Sequence, residues 1–161
     1  METADYKTEL EKNGAIAFVP GGNSMWPILK NKSQSVIILP KTEKLKRFDV
    51  ALYQRDNGTY VLHRVMQPTE YGYVMCGDSQ FTLEKVREEA VFGVMTSFYR
   101  GKNSIEVTDK EYIKEVEDWY GNERRRKRKI NNFFFKQKIK NKIRGVFRRV
   151  KNVFNRTSKE K

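Results

Sequence analysis

Gly21-Gly22-Asn23-Ser24-Met25-Trp26-Pro27 is the stretch on which the reading of this chain turns. Two glycines before a serine and a proline three residues after it describe a sharp turn with a preset backbone, in which the Ser24 hydroxyl and nearby N–H groups can point the same way. Such a turn can supply a nucleophile and, through the backbone of Ser24 and Met25, an oxyanion hole. The plainer alternative is a surface loop in which Ser24 caps a neighbouring group and Met25 packs inward. Local composition alone does not choose between the two.

Outward from that turn the pattern is β. Residues 15–19, 35–39, 48–53, 59–66, 71–75, 91–99 and 104–107 are β-branched and aromatic runs of strand length, separated by Gly, Pro, Asn or Asp. Asp56-Asn57-Gly58 between two of them predicts a hairpin closed by a tight primed turn. Before the first run, Thr3–Lys12 reads as a short helix with Tyr6 and Leu10 on one face and Asn13-Gly14 as its stop. After the last, Asp109 is placed to cap a helix on which Tyr112, Ile113, Val116, Trp119 and Tyr120 share a face.

Charge divides the chain sharply. Residues 1–120 hold 16 Lys/Arg and 18 Asp/Glu, whereas residues 121–161 hold 17 and 2, so a nearly neutral body carries a tail of net +15. In that tail Arg124–Lys129 is an unbroken basic block. From Phe135 the apolar residues Ile139, Ile143, Val146, Phe147, Val150, Val153 and Phe154 recur at threes and fours among Lys and Arg, the pattern of an amphipathic helix with a cationic polar face. The expected organisation is a domain over residues 1–108, an amphipathic helix over 109–121 and a basic tail over 122–161.

Several function classes fall away. No apolar run approaches the roughly 18–20 residues a membrane-spanning helix needs. The first residues read as acidic rather than as a basic and apolar leader, so a cytoplasmic location is expected. A single cysteine, Cys76, and a single histidine, His63, leave no internal disulfide and no thiolate or histidine metal cluster; no metal and no cofactor are expected. Cys76 reads as a small buried residue.

Two further elements carry polar groups. In Tyr60-Val61-Leu62-His63-Arg64-Val65 the period of two puts His63 on one strand face with Val61 and Val65, where a histidine is either structural or a base. In Met75-Cys76-Gly77-Asp78-Ser79, Asp78 is either a turn residue or the carboxylate that orients an imidazole.

Taken in order, Ser24-Met25-Trp26-Pro27, His63-Arg64-Val65 and Gly77-Asp78 resemble the motifs of the signal peptidase I and LexA-like serine peptidase superfamily. The resemblance runs from about Asn13 to Val94 and takes in Phe48–Tyr53 and Val91–Met95. It implies a mainly β, coiled-sheet peptidase domain with a short N-terminal helix and C-terminal helices. It also implies Ser24 as nucleophile, and His63, standing where many relatives carry a lysine, as general base. That substitution is similar to the ER-type signal peptidase branch. There Asp78 corresponds to the orienting acid, and Glu84, six residues on, to a second acid; whether Asp78, Glu84 or both serve His63 stays open.

The activity so implied is endopeptidase cleavage of a leader or signal segment from a peptide or protein precursor with small side chains beside the scissile bond. The alternative is a catalytically silent peptide-binding or regulatory module of the same fold. Self-cleavage, known among LexA-like relatives, finds only ordinary candidate sites near Ala15 and Gly145. For the tail, an anionic membrane surface bound through residues 124–156 is the leading partner, which would place the protein peripherally at the inner face of the membrane. Nucleic acid and a solvated or body-packed tail are the alternatives. Oligomeric state is not legible.

Overall fold

The β-branched and aromatic runs pair, antiparallel throughout, into a single eight-stranded sheet. The structure is a computed structural model that describes residues 5–30 and 33–157, the side chains of 146 and 149–157 excepted. Helix α1 (Tyr6–Asn13) leads into β1 (Ile16–Phe18), and β2 (Val36–Pro40) follows the Ser24 turn. β3 (Val50–Gln54), β4 (Tyr60–Thr69), β5 (Gly72–Cys76) and β6 (Glu84–Arg87) form a meander. β7 (Val91–Arg100) then crosses back and β8 (Asn103–Glu106) hairpins onto it. The order is β1-β2-β7-β3-β4-β5-β6, with β8 paired to β7.

Register shifts at Ile37/Ile38, Leu52/Tyr53 and Val65/Gln67 interrupt the ladders. Such bulges bend a strand and increase its local twist. One face buries Leu45, Ala51, Tyr53, Val65, Tyr73, Met75, Val86 and Val91 as a core. The other is covered in part by α1, whose Leu10 is buried close to Gly93 of β7, and by α2 (Lys110–Tyr120), whose Tyr112 ring lies 5.7 Å from Phe98.

The expected strands are present with edges moved by at most three residues, and several differences have clear causes. β6 was not expected: Glu-Lys-Val-Arg shows one apolar residue, because it is an edge strand with a charged outer side. The hairpin turn is wider than the primed turn expected. Gly58 alone takes positive φ (80°), its N–H closes on the Arg55 carbonyl, and the Asn57 side chain accepts from Thr59 N–H, so the asparagine works through its side chain.

The first helix begins at Tyr6, capped by Asp5; the expected start at Thr3 lies outside the described residues. Asp109 precedes α2 as expected, but its carboxylate accepts from Glu106 N–H upstream. The tail is one helix, α3 (Glu123–Thr157), that begins at Glu123 and includes the basic block. Lys and Arg are good helix formers, and the Asn122 side chain caps the start by accepting from Arg125 N–H. Of its expected apolar face, the side chains of Val146, Val150, Val153 and Phe154 lie outside the described residues. The chain forms two units, Met1–Trp119 and Tyr120–Lys161, so nearly all of α2, read from the sequence as its own segment, falls in the first.

At Gly72 a Cβ would stand 2.1 Å from the Val86 carbonyl oxygen, a backbone atom that cannot swing aside. Gly72→Ala should therefore force β5 and β6 apart and lower unfolding free energy by about 1–3 kcal/mol, read as a fall in the urea midpoint.

Candidate active site

β4 sets the polar chemistry through its period of two. His63 and Arg64 are neighbours in the chain and therefore face opposite sides of the sheet. Register fixes the companions of each. Val61 lies opposite Tyr53, His63 opposite Ala51, and Val65 opposite Met75, which in turn lies opposite Glu84. Residues opposite one another share a face, so His63, Tyr53 and Glu84 are brought together on one side. Arg64 lies opposite Val50 and Cys76 on the other.

On the His63 side, the imidazole is buried and its Nδ1 lies 3.2 Å from the Tyr53 hydroxyl. That hydroxyl donates to Glu84 Oε2 at 2.8 Å, and Arg55 clamps the same carboxylate with Nε on Oε1 (2.7 Å) and Nη2 on Oε2 (2.6 Å). Arg55 and the Tyr53 hydrogen bond hold the Glu84 carboxyl below its ordinary range. Burial pushes the Tyr53 phenol far up, with Glu84 adding to the effect, so it stays protonated. Burial likewise lowers the His63 pKa, opposed in part by Glu84 and by Asp78 and reinforced by Arg55, so the ring is neutral at neutral pH.

On the Arg64 side, the expectation for Asp78 meets a different arrangement. Arg64 and Asp78 are both fully buried (0% exposed), with Nε on Oδ1 at 2.7 Å and Nη2 on Oδ2 at 2.8 Å. Arg64 Nη1 also donates to the Phe48 carbonyl (2.7 Å) and to the Tyr112 hydroxyl (3.1 Å). Asp78 is thus taken up by the guanidinium one residue beyond the histidine, because a buried, permanently charged arginine demands a carboxylate. The His63 ring nitrogen instead meets Tyr53, and through it Glu84, the acid read from the sequence as the second candidate.

The Gly77-Asp78-Ser79 turn does place Ser24. Ser79 N–H donates to the Ser24 carbonyl at 2.8 Å, and the Ser79 hydroxyl contacts both the Asn23 carbonyl (2.7 Å) and the Ser24 carbonyl (3.2 Å). Gly77 has no side chain because a Cβ there would stand 2.7 Å from the Ser24 carbonyl oxygen. The N–H groups of Ser24 and Met25 donate to no acceptor among the described residues. Cys76 is buried, with its Sγ near the Gly77 and Gln80 carbonyls.

Ser24 and His63 line one cavity of about 330 Å³. Its lining also includes Leu52, Leu62, Phe18, Tyr6 and Tyr60. Tyr6 of α1 stacks on Phe18 at 4.7 Å and meets Tyr60 edge-on at 5.2 Å, while Asp5, the α1 cap, accepts from the Tyr60 hydroxyl at 2.5 Å. The N-terminal helix therefore builds part of the site wall, a role its sequence did not announce. Among the described residues no group of His, Cys, Asp and Glu could hold a metal ion.

Removing one partner of a fully buried ion pair strands the other. Arg64→Met and Asp78→Asn should each lower unfolding free energy by about 3–5 kcal/mol, and the double variant by less than the sum, measured by urea denaturation. No family model, no curated protein and no solved structure matches this chain.

Proposed function

We propose that the chain is a serine endopeptidase that removes a leader or signal segment from a peptide or protein precursor, with a domain similar in fold to the signal peptidase and LexA-like peptidases. The observation that carries this reading is that the serine of the Gly21–Pro27 turn and the only histidine of the chain line the same cavity. Ser24 would be the nucleophile and His63 the general base. The Ser24 Oγ proton passes to the imidazole as the Oγ–carbonyl bond forms, and the carbonyl electron pair moves onto an oxygen that the Ser24 and Met25 N–H groups would hold. The same proton then goes to the departing amine as the C–N bond breaks, and water releases the acyl-enzyme.

The substrate would lie extended along β1, which stands at the edge of the sheet and whose Phe18 enters the cavity wall. A silent peptide-binding module would use the same groove, but such a module needs neither a buried neutral histidine nor available N–H donors beside a serine.

Ser24→Ala and His63→Ala should each abolish cleavage of a model leader peptide, and Ser24→Ala should abolish labelling by a fluorophosphonate probe. Cleavage retained in both variants would overturn the proposal. Because a depressed His63 pKa keeps the base unprotonated to lower pH, the acidic limb of kcat/KM should fall below pH 6.5, the ordinary histidine value. A limb at or above that value would contradict the buried, neutral base.

α3 supports a location for this activity at an anionic membrane surface. Among the described side chains Phe135 (65% exposed), Ile139, Ile143 and Phe147 (71% exposed) recur every four residues, and no acid occurs between Glu123 and Glu160. A helix stabilised in isolation would use Glu–Lys pairs at that spacing; an uninterrupted cationic face calls for negative charge from outside. Each basic residue near such a surface contributes about 1 kcal/mol. No helix among the described residues is long and apolar enough to cross a membrane.

Vesicles containing phosphatidylglycerol should float the protein and vesicles of phosphatidylcholine alone should not. Phe135→Ser, Ile139→Ser, Ile143→Ser and Phe147→Ser combined should abolish flotation. Flotation unaffected by these changes, or binding to duplex DNA that they leave intact, would assign the tail to charge alone.

A further inference from the structure

We propose that Tyr53 is a positioning residue of the site: anchored to Glu84, its hydroxyl holds neutral His63 as the tautomer with hydrogen on Nδ1 and the lone pair on Nε2. The inference rests on the reading of His63 as the general base, although its geometric half stands apart from that reading.

A phenol has one hydrogen to give and an oxygen that can accept. Tyr53 stands between two groups, Glu84 Oε2 at 2.8 Å and His63 Nδ1 at 3.2 Å, so the single hydrogen can satisfy only one. Arg55 decides which. With both carboxylate oxygens clamped by its guanidinium, Glu84 is ionised and can only accept. The hydrogen therefore goes to Glu84. Turned the other way, the phenol would set its lone pairs against a carboxylate and spend its hydrogen on the imidazole. The Tyr53 oxygen is left as an acceptor facing Nδ1, and an acceptor there favours the ring form that carries hydrogen at that nitrogen. The tautomer of a histidine is set in this way by the hydrogen bond its other nitrogen makes.

The consequence falls on Nε2. With Nδ1 occupied, the lone pair sits on the nitrogen away from Tyr53, the one that would take the Ser24 hydroxyl proton in the proposed mechanism. The imidazolium so formed keeps Nδ1–H on the Tyr53 oxygen while the phenolic hydrogen stays on Glu84. Its charge is stabilised through the phenol with no second proton moving. The charged groups that act on the ring are Glu84, Arg55 and Asp78, and of the two carboxylates only Glu84 is linked to it by hydrogen bonds, through Tyr53. Tyr53 thus occupies the place that a directly bonded aspartate takes in a Ser-His-Asp arrangement.

His63 is the only histidine of the chain, so the spectrum of protein labelled with ¹⁵N-histidine reports this ring alone. The full-length protein above the His63 pKa should show the Nδ1–H tautomer. Tyr53→Phe, which keeps the ring and removes the hydroxyl, should shift the population toward Nε2–H. It should lower kcat about ten- to a hundredfold with KM unchanged, less than the loss on the order of 10⁴ for a wholly mis-set tautomer. Glu84→Gln, whose amide can offer a hydrogen to the phenol, should relax the same preference, and it serves as the second reading if Tyr53→Phe folds poorly.

A wild-type ring in the Nε2–H form, or a tautomer and kcat that neither variant moves, would overturn the inference. Nδ1–H in the wild type and its loss in the variants, in a protein that neither cleaves nor reacts with fluorophosphonate, would overturn the peptidase reading while leaving the hold of Tyr53 on His63 in place.

Discussion

A guanidinium cannot shed its charge to suit a dry environment, and the fully buried Arg64 obliges the rest of the domain to come to it. Its donors reach Asp78 in the turn after β5, the Phe48 carbonyl before β3 and Tyr112 on α2, three segments far apart in the chain. The same turn then passes the constraint on. The Asp78 carbonyl accepts from Trp119 Nε1 at 2.9 Å, and Ser79 holds the Asn23 and Ser24 carbonyls. The serine loop has little regular structure of its own, yet it is placed by a chain of contacts that ends at one arginine. A buried pair of this kind contributes little net stability against an apolar replacement; what it supplies is a defined arrangement, since any other packing strands a charge.

The period of the strand puts that charge on the face opposite the histidine. Arg64 and Asp78 satisfy one another on one face of β4, and His63 on the opposite face meets a neutral phenol first and a carboxylate second. A carboxylate bonded directly to the ring would stabilise the imidazolium strongly and raise its pKa. A phenol between them weakens that pull, so burial prevails and the ring stays neutral. The two acids following β5 are therefore not interchangeable. Asp78 fixes the architecture and acts on His63 through space alone, whereas Glu84, tied to Arg55 and Tyr53, reaches it through hydrogen bonds.

These divisions mark how far the sequence could be read. The strands, the hairpin and the Ser24 turn were legible because β-branched runs, Asn-Gly and the Gly-Gly…Pro bracket each impose their geometry locally. The partner of Asp78 was not, because a motif records residue type and order while the partner depends on which strand face each neighbour occupies. Tyr53 lay within reach of register arithmetic. A hairpin that pairs Gln54 with Tyr60 puts Tyr53 opposite Val61 and hence diagonal to His63. β6 escaped for the opposite reason: as a charged edge strand it carries no alternation to detect, although Glu84 within it was singled out.

The charge of the tail belongs to a different scale from the charges at the site. α3 has 35 residues, and at 1.5 Å per residue its positive side chains spread over about 50 Å. Screening at physiological ionic strength extends roughly 8 Å, so from any one point most of those charges are invisible. A diffuse cationic helix cannot tune a single imidazole. It can sum many weak attractions to an extended anionic surface, and salt will erode that sum term by term. The buried groups around His63, by contrast, interact through protein rather than solvent and are screened much less. In the reading proposed here, then, raising the salt concentration should separate location from chemistry, releasing the protein from the membrane surface while leaving the acid–base behaviour of His63 in place.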